Sequence, residues 1–172
     1  MRRRAIEPPS PASVFCVEPL AVKTPKAVPV VLRHRGDSTE VLVFAHPKAG
    51  TQIVKGTVEA GEPVADACVR ELAEESGIVG AACLRDLGVW EHCPSGQVWH
   101  FREMFVADAL PDSWTHHTND GGGLLFRFYW HALDRSAPVS CHRDYVRALA
   151  FLQGRLAELA NNRSFMSRCE PT

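Results

Sequence analysis

Three glutamates, Glu71, Glu74 and Glu75, fall within five positions just after a glycine-rich turn, in the stretch GTVEAGEPVADACVRELAEESGI (residues 56–78). On a helix advancing roughly 100° per residue, Glu71 and Glu75 share a face and Glu74 lies beside them. Val64, Ala65, Cys68, Val69 and Leu72 then form one apolar arc, with Glu75 pointing into it and Glu71 at its border. Like charges four residues apart cost about 0.2–0.5 kcal/mol even on an exposed helix, and more when half-buried. Two arrangements make this tolerable. Arg70 can neutralise the run by pairing with Glu74 at i+4, leaving a plain charged helix. Alternatively, divalent cations sit between the carboxylates, since hard oxygen ligands at these spacings suit Mg²⁺ or Mn²⁺ and leave positions for water and phosphate.

The surrounding residues bear on that choice. Residues 56–78 fit the pattern G-x5-E-x7-R-E-U-x-E-E-x-G-U, U being a bulky aliphatic, through Gly56, Glu62, Arg70, Glu71, Leu72, Glu74, Glu75, Gly77 and Ile78. At average residue frequencies this match has a chance probability on the order of 10⁻⁹. The segment is identified as a Nudix box, and the chain resembles the Nudix hydrolase family. The flanks VLVFAHPKAGTQIVK and DGGGLLFRFYWHAL extend the resemblance, although only the box is specific.

The resemblance implies an α/β/α sandwich around a mixed β-sheet and metal-dependent hydrolysis of a nucleoside diphosphate linked to another moiety X. It implies Mg²⁺, with Mn²⁺ as the alternative, held by Glu71, Glu74, Glu75 and the carbonyl of Gly56. Arg70 would orient the carboxylates, and Glu62 would brace the same network or cap the start of the helix. The general base stays open between a box glutamate, Glu74 or Glu75, and a loop acid. Asp120 in HTNDGGG is the best loop candidate, because its neighbour Asn119 is an amide and takes no proton. Glu103 comes second; it shares a strand face with Phe101 and Phe105 and wants a metal or an arginine partner. Glu91 is a further strand acid. Lys55 before the box could meet a phosphate, as could His116 and His117.

The moiety X is the open part. Relatives that cleave ADP-ribose often carry a proline about sixteen residues past the box, and Pro94 stands sixteen residues after Ile78. That makes ADP-ribose or another nucleotide sugar one candidate, beside dinucleoside polyphosphates, oxidised nucleotides and capped RNA. Trp90, Trp99, Trp114 and Trp130 are available for base stacking, with packing as their plainer use. A nucleotide-binding module of the same fold without turnover is the alternative function.

Bulk composition agrees with a single soluble domain. The chain has 172 residues, 45% apolar and 23% charged, with a net charge of −1. No global field recruits nucleic acid or an anionic membrane, and no apolar run reaches the ~20 residues of a membrane span. The six cysteines form no C-x-x-C pair and no zinc-type spacing with the eight histidines, which suggests reduced thiols in a cytoplasmic protein. The partner expected is a small nucleotide derivative; a homodimer is common among relatives.

The elements that must position the glutamates read as follows. Residues 1–15, rich in proline, are expected to be a disordered tail, 16–162 one domain, and 163–172 a loose end. AVPVVLRH (27–34) and TEVLVFAH (39–46) are strands joined by a turn, and TQIVK (51–55) is a short extended piece. A helix spans 63–76, from Pro63 to the stop at Gly77. Strands are expected at 84–92, 98–110 and 124–133, with a polar loop at 111–123. The final helix, 142–162, carries Tyr145, Leu149, Leu152, Leu156 and Leu159 on one stripe.

Overall fold

The computed structural model describes residues 23–92, 95–119 and 122–166. The elements are β1 (Thr24–Arg35), β2 (Ser38–His46), β3 (Gly50–Gln52), β4 (Gly56–Thr57) and α1 (Val64–Ser76), followed by β5 (Ala82–His92), β6 (Gln97–Phe105), β7 (Ser113–Thr118), β8 (Leu124–Ala132) and α2 (Arg143–Met166). The strands order as β5-β6-β1-β2-β8-β7, with β3 on β2 and β4 on β1. β1 runs parallel to β6 and antiparallel to β2, so the sheet is mixed, as the element order implies.

The join between β1 and β2 is short. They pair only from Leu32↔Val41 to Arg35↔Ser38, through a turn in which Gly36 takes φ 60°. Further from the turn the two strands take different partners. β1 pairs with β4 at Lys26 and Ala27, while β2 pairs with β3 from Phe44 to His46. The sheet therefore divides, and residues 50–57 run through the division. This is how Lys55 and Gly56 reach the interior of the molecule.

Alternation along the central strands sends residues to two cores. Ala27, Val31, Leu42 and Phe44 pack with Ala67, Cys68 and Leu72 of α1. Val28, Val30, Val41 and Val43 pack with Ala148, Leu149 and Leu152 of α2. One helix covers each face, and the expected stripe on α2 is the one that is used, with Tyr145, Leu156 and Leu159 at its margins. A fully buried side chain such as Leu72 or Leu152 contributes about 1.5–3 kcal/mol. No helix among the described residues is long and apolar enough to cross a membrane.

Beyond shifts of one to three residues at other element ends and the short strand β4, three differences from expectation stand out. α2 continues to Met166, past residue 162. β6 ends at Phe105, short of residue 110. The third difference matters more: the segment expected as a polar loop contains β7. Its residues alternate, with Trp114, His116 and Thr118 facing inward and Ser113, Thr115 and His117 exposed. As an edge strand it pairs with β8 along its whole length, and that pairing outweighs the polar composition.

Candidate active site

α1 begins after Pro63, which makes no side-chain cap, and stops at Gly77 in the left-handed region (φ 76°), whose N–H donates to Ala73 O. Its buried face takes in Ala67, Cys68, Leu72 and Ser76 together with Glu71 and Glu75. The face is thus centred closer to the glutamates than the apolar arc suggests. Glu71 is 8% exposed and Glu75 9%. Glu74 is exposed.

These three glutamates line one cavity of 480 Å³ together with Lys55, Thr118 and Asn119. Glu71 lies directly against Gly56: a Cβ added to the glycine would sit 1.6 Å from the Glu71 carboxyl carbon. Burial pushes the Glu71 carboxyl above its ordinary range, and its bond to Arg70 only partly offsets this.

Arg70 is the hub of the site. Its Nε and Nη2 donate to the two oxygens of Glu62, both at 2.9 Å, and Nη2 also donates to Thr57 O at 2.9 Å. Its Nη1 donates to Glu71 at 2.7 Å and to Glu74 at 3.3 Å. The i+4 contact with Glu74 therefore exists but is the longest of the set. Glu62 does not cap the helix. It grips Arg70 in a two-point pair and accepts the Glu59 N–H at 3.0 Å. The Arg70 bonds, with the Glu59 N–H second, lower its carboxyl to about 2.

On the opposite wall, Lys55 Nζ stands 5.0 Å from the centroid of the Trp99 ring. Burial lowers the Lys55 ammonium from its usual range, and the charge of Lys26 lowers it further, against the pull of Glu75 and Glu71. Lys26 was not apparent from the sequence. It reaches the site because β1 sets it opposite Thr57, whose Oγ1 accepts from Lys26 Nζ at 2.6 Å.

β7 closes the far end of α1. Trp114 Nε1 donates to Ser76 O at 2.9 Å, and His116 Nε2 lies 3.2 Å from Glu74 O. The His116 ring therefore serves the helix terminus, while His117 is exposed beside Gly123. Thr118 and Asn119, at the end of the same strand, complete the cavity wall. Only the period-two spacing of Trp114, His116 and Thr118 signalled this placement in the sequence.

Of the remaining candidates, Glu103 is not brought to this cavity. It has the arginine partner its position calls for, Arg85, and lines separate cavities with Leu32 and His34. Pro94 and Asp120 lie outside the described residues. Glu91 pairs with Lys23. None of the four tryptophans presents a bare platform. Trp99 is 2% exposed, Trp90 packs edge-on against it, Trp114 stacks on Phe128, and Trp130 lies under the Arg33 guanidinium.

The donors on the cavity wall are hard oxygens, which fit a magnesium-class ion in type, and the close seat of Glu71 against Gly56 fits a shared ligand site. Among the described residues, no three His, Cys, Asp or Glu side chains already converge on one point. Arg70 draws Glu71 and Glu74 toward itself.

Comparison with known proteins bears on the family and the fold. Residues 23–147 match the NUDIX domain family. A Caenorhabditis elegans protein named as a nudix hydrolase is 42% identical over 55 residues, covering 30% of this chain and only 15% of that protein. Among solved structures, an ADP-ribose pyrophosphatase from Streptococcus suis superposes with a TM-score of 0.56 at 13% identity, covering 77% of this chain and 90% of its own. An Ap4A hydrolase from C. elegans gives 0.54 at 19% identity, over 80% and 98%. A Nudix hydrolase from Nitrosomonas europaea gives 0.53 at 20% identity, over 75% and 86%. These likenesses establish the fold, the family match spans most of the chain, and the chain belongs to the Nudix hydrolase family.

Proposed function

We propose that the protein is a Mg²⁺-dependent pyrophosphohydrolase that cleaves a nucleoside diphosphate linked to a further moiety X. The observation that carries this reading is the cavity wall itself: Glu71 seated against Gly56, with Glu74, Glu75 and Lys55 on the same surface. The names of the structural neighbours, an ADP-ribose pyrophosphatase and an Ap4A hydrolase, favour a nucleotide substrate.

When bound, the divalent ion supplies charge neutralisation at the phosphoryl oxygens and acidifies a coordinated water. The residues do the rest. Glu71, Glu74 and Glu75, with the Gly56 carbonyl, hold the ion. Arg70, fixed by Glu62 and Thr57, sets the rotamers of Glu71 and Glu74. Lys55 meets a non-bridging oxygen of the substrate. Glu74 and Glu75 line the cavity wall and Glu62 and Glu103 do not, which supports a box glutamate as the base.

The experiment is phosphate or nucleotide release from a panel of nucleoside diphosphate derivatives, with and without Mg²⁺. Turnover should require the ion and should fall by about 10²–10⁴-fold in Glu74→Gln or Glu75→Gln. Ligand binding without turnover across the panel would instead identify a binding module.

A further inference from the structure

We propose that Lys26 and Lys55 form a seat for a phosphate beyond the pyrophosphate that is cleaved, so that X begins with phosphate and the substrate carries a chain longer than a diphosphate. This rests on the pyrophosphohydrolase reading and narrows it to one substrate class.

The two lysines bracket the glycine turn. Lys55 lines the cavity with the glutamates, one residue before Gly56. Lys26 stands just outside that wall, bonded to Thr57, one residue after Gly56. Trp99 adjoins both: Lys55 packs over its ring, and Lys26 is its register partner across β1 and β6. Lys26 is close enough to the cavity wall for its charge to be felt at both Lys55 and Glu71.

Neither ammonium forms an ion pair among the described residues. Arg70 engages Glu62, Glu71 and Glu74, and Lys23 has Glu91. In the absence of an ion, the field of the glutamates offsets the two positive charges. A divalent cation held by those glutamates removes that offset and leaves two neighbouring ammonium groups facing the substrate. Two like charges in a partly buried place repel each other, and an anion is what relieves them. A diphosphate diester brings one negative charge per phosphorus, which one divalent ion already balances. The lysine pair calls for more. A neutral sugar there would leave the charge of Lys26 without a counterpart, which disfavours nucleotide sugars. Lysine suits the task as a compact point charge that meets phosphate without a fixed fork.

The test compares a dinucleoside polyphosphate with a nucleotide sugar of the same base, using Lys26→Met, Lys55→Met, the double variant and the charge-keeping Lys26→Arg. Thermal unfolding confirms that each variant is folded. Wild-type protein should prefer the polyphosphate in kcat/KM. Lys26→Met should raise KM for the polyphosphate by about tenfold, the size of one charge-assisted contact, with kcat changed little. KM for the sugar should stay as it was, and Lys26→Arg should restore most of the loss. Calorimetric titration in saturating calcium with inorganic triphosphate and pyrophosphate gives a readout independent of turnover. Triphosphate should bind more tightly, and the folded double variant should lose that advantage. Equal KM changes on both substrates, a wild-type preference for the sugar, or an undiminished triphosphate advantage in the double variant would overturn the proposal. Lysine-dependent triphosphate binding with no turnover of any substrate would leave the seat standing and remove the hydrolase reading.

Discussion

The carboxylate of Glu71 occupies the space that a side chain on Gly56 would need, 1.6 Å from an added Cβ to its carboxyl carbon. Gly56 is therefore required here for close approach, since it is not among the residues at positive φ. In Gly56→Ala the flexible tip of Glu71 gives way, and the fold stays. Ion affinity, measured by calorimetry, should fall about 10–100-fold, as when a ligand loses its support. The thermal midpoint should move by no more than about 4 °C. Wild-type ion affinity in this variant would show that the position of Glu71 is irrelevant to binding.

Arg70 joins Glu62, Thr57, Glu71 and Glu74 through one planar group, and lysine cannot reproduce that fork. Arg70→Lys should therefore lower kcat about 10–100-fold even though charge is kept. There is a pH signature as well. The folded-state carboxyl of Glu62 is depressed to about 2, so its pairing with Arg70 contributes stability above the unfolded carboxyl range. That contribution is lost as pH falls through about 2. Denaturant unfolding between pH 2 and 4.5 should show this slope in wild type and a flatter one in Arg70→Gln. Matching slopes would remove Glu62 as the partner.

Cys68 lies on the buried face of α1 with no exposed surface, and burial pushes its thiol up to about 12. The thiolate that reacts with alkylating agents is therefore scarce at neutral and mildly alkaline pH. Mass spectrometry after iodoacetamide at pH 8 should find Cys68 unmodified in the native state and modified after denaturation. Modification in the native state would mean that α1 opens on the timescale of labelling.

Much of this was legible in the sequence because local rules carried it. The box glutamates, the glycine before them and the α2 stripe follow from spacing on one helix or one turn. Lys26 was not legible: its role depends on β1 lying opposite β4, a pairing thirty-one residues apart. For Glu103 the want of an arginine partner was legible, but its distance from the box cavity was not, for the same reason. Its strand face was inferable, but the Arg85 that takes it up comes from the neighbouring strand. Arg70 had two readings, an i+4 pair with Glu74 and a place in a network braced by Glu62; both contacts form, and the two-point pair with Glu62, from the loop before the helix, is the shorter.

β7 shows the same limit and yields the last prediction. Its Trp114 stacks on Phe128, ring centroids 5.0 Å apart, and donates to Ser76 O, the carbonyl next to Glu75. His116 packs against Gly77 and meets Glu74 O. Among the described residues, α1 has no basic side chain of its own in its last turn, so this edge strand supplies the donors for its terminal carbonyls. Trp114→Phe keeps the stacking and deletes the hydrogen bond, which should cost about 1 kcal/mol or about 2–4 °C in Tm. If the strand merely covers the core, activity should follow stability and recover fully on cooling. If it holds the glutamate turn in place, kcat should fall several-fold at temperatures where the variant is wholly folded. Amide exchange at Glu75 and Ser76 should quicken in step. The second outcome is expected, because one contact lands on Glu74 itself and the other on Ser76, the residue next to Glu75.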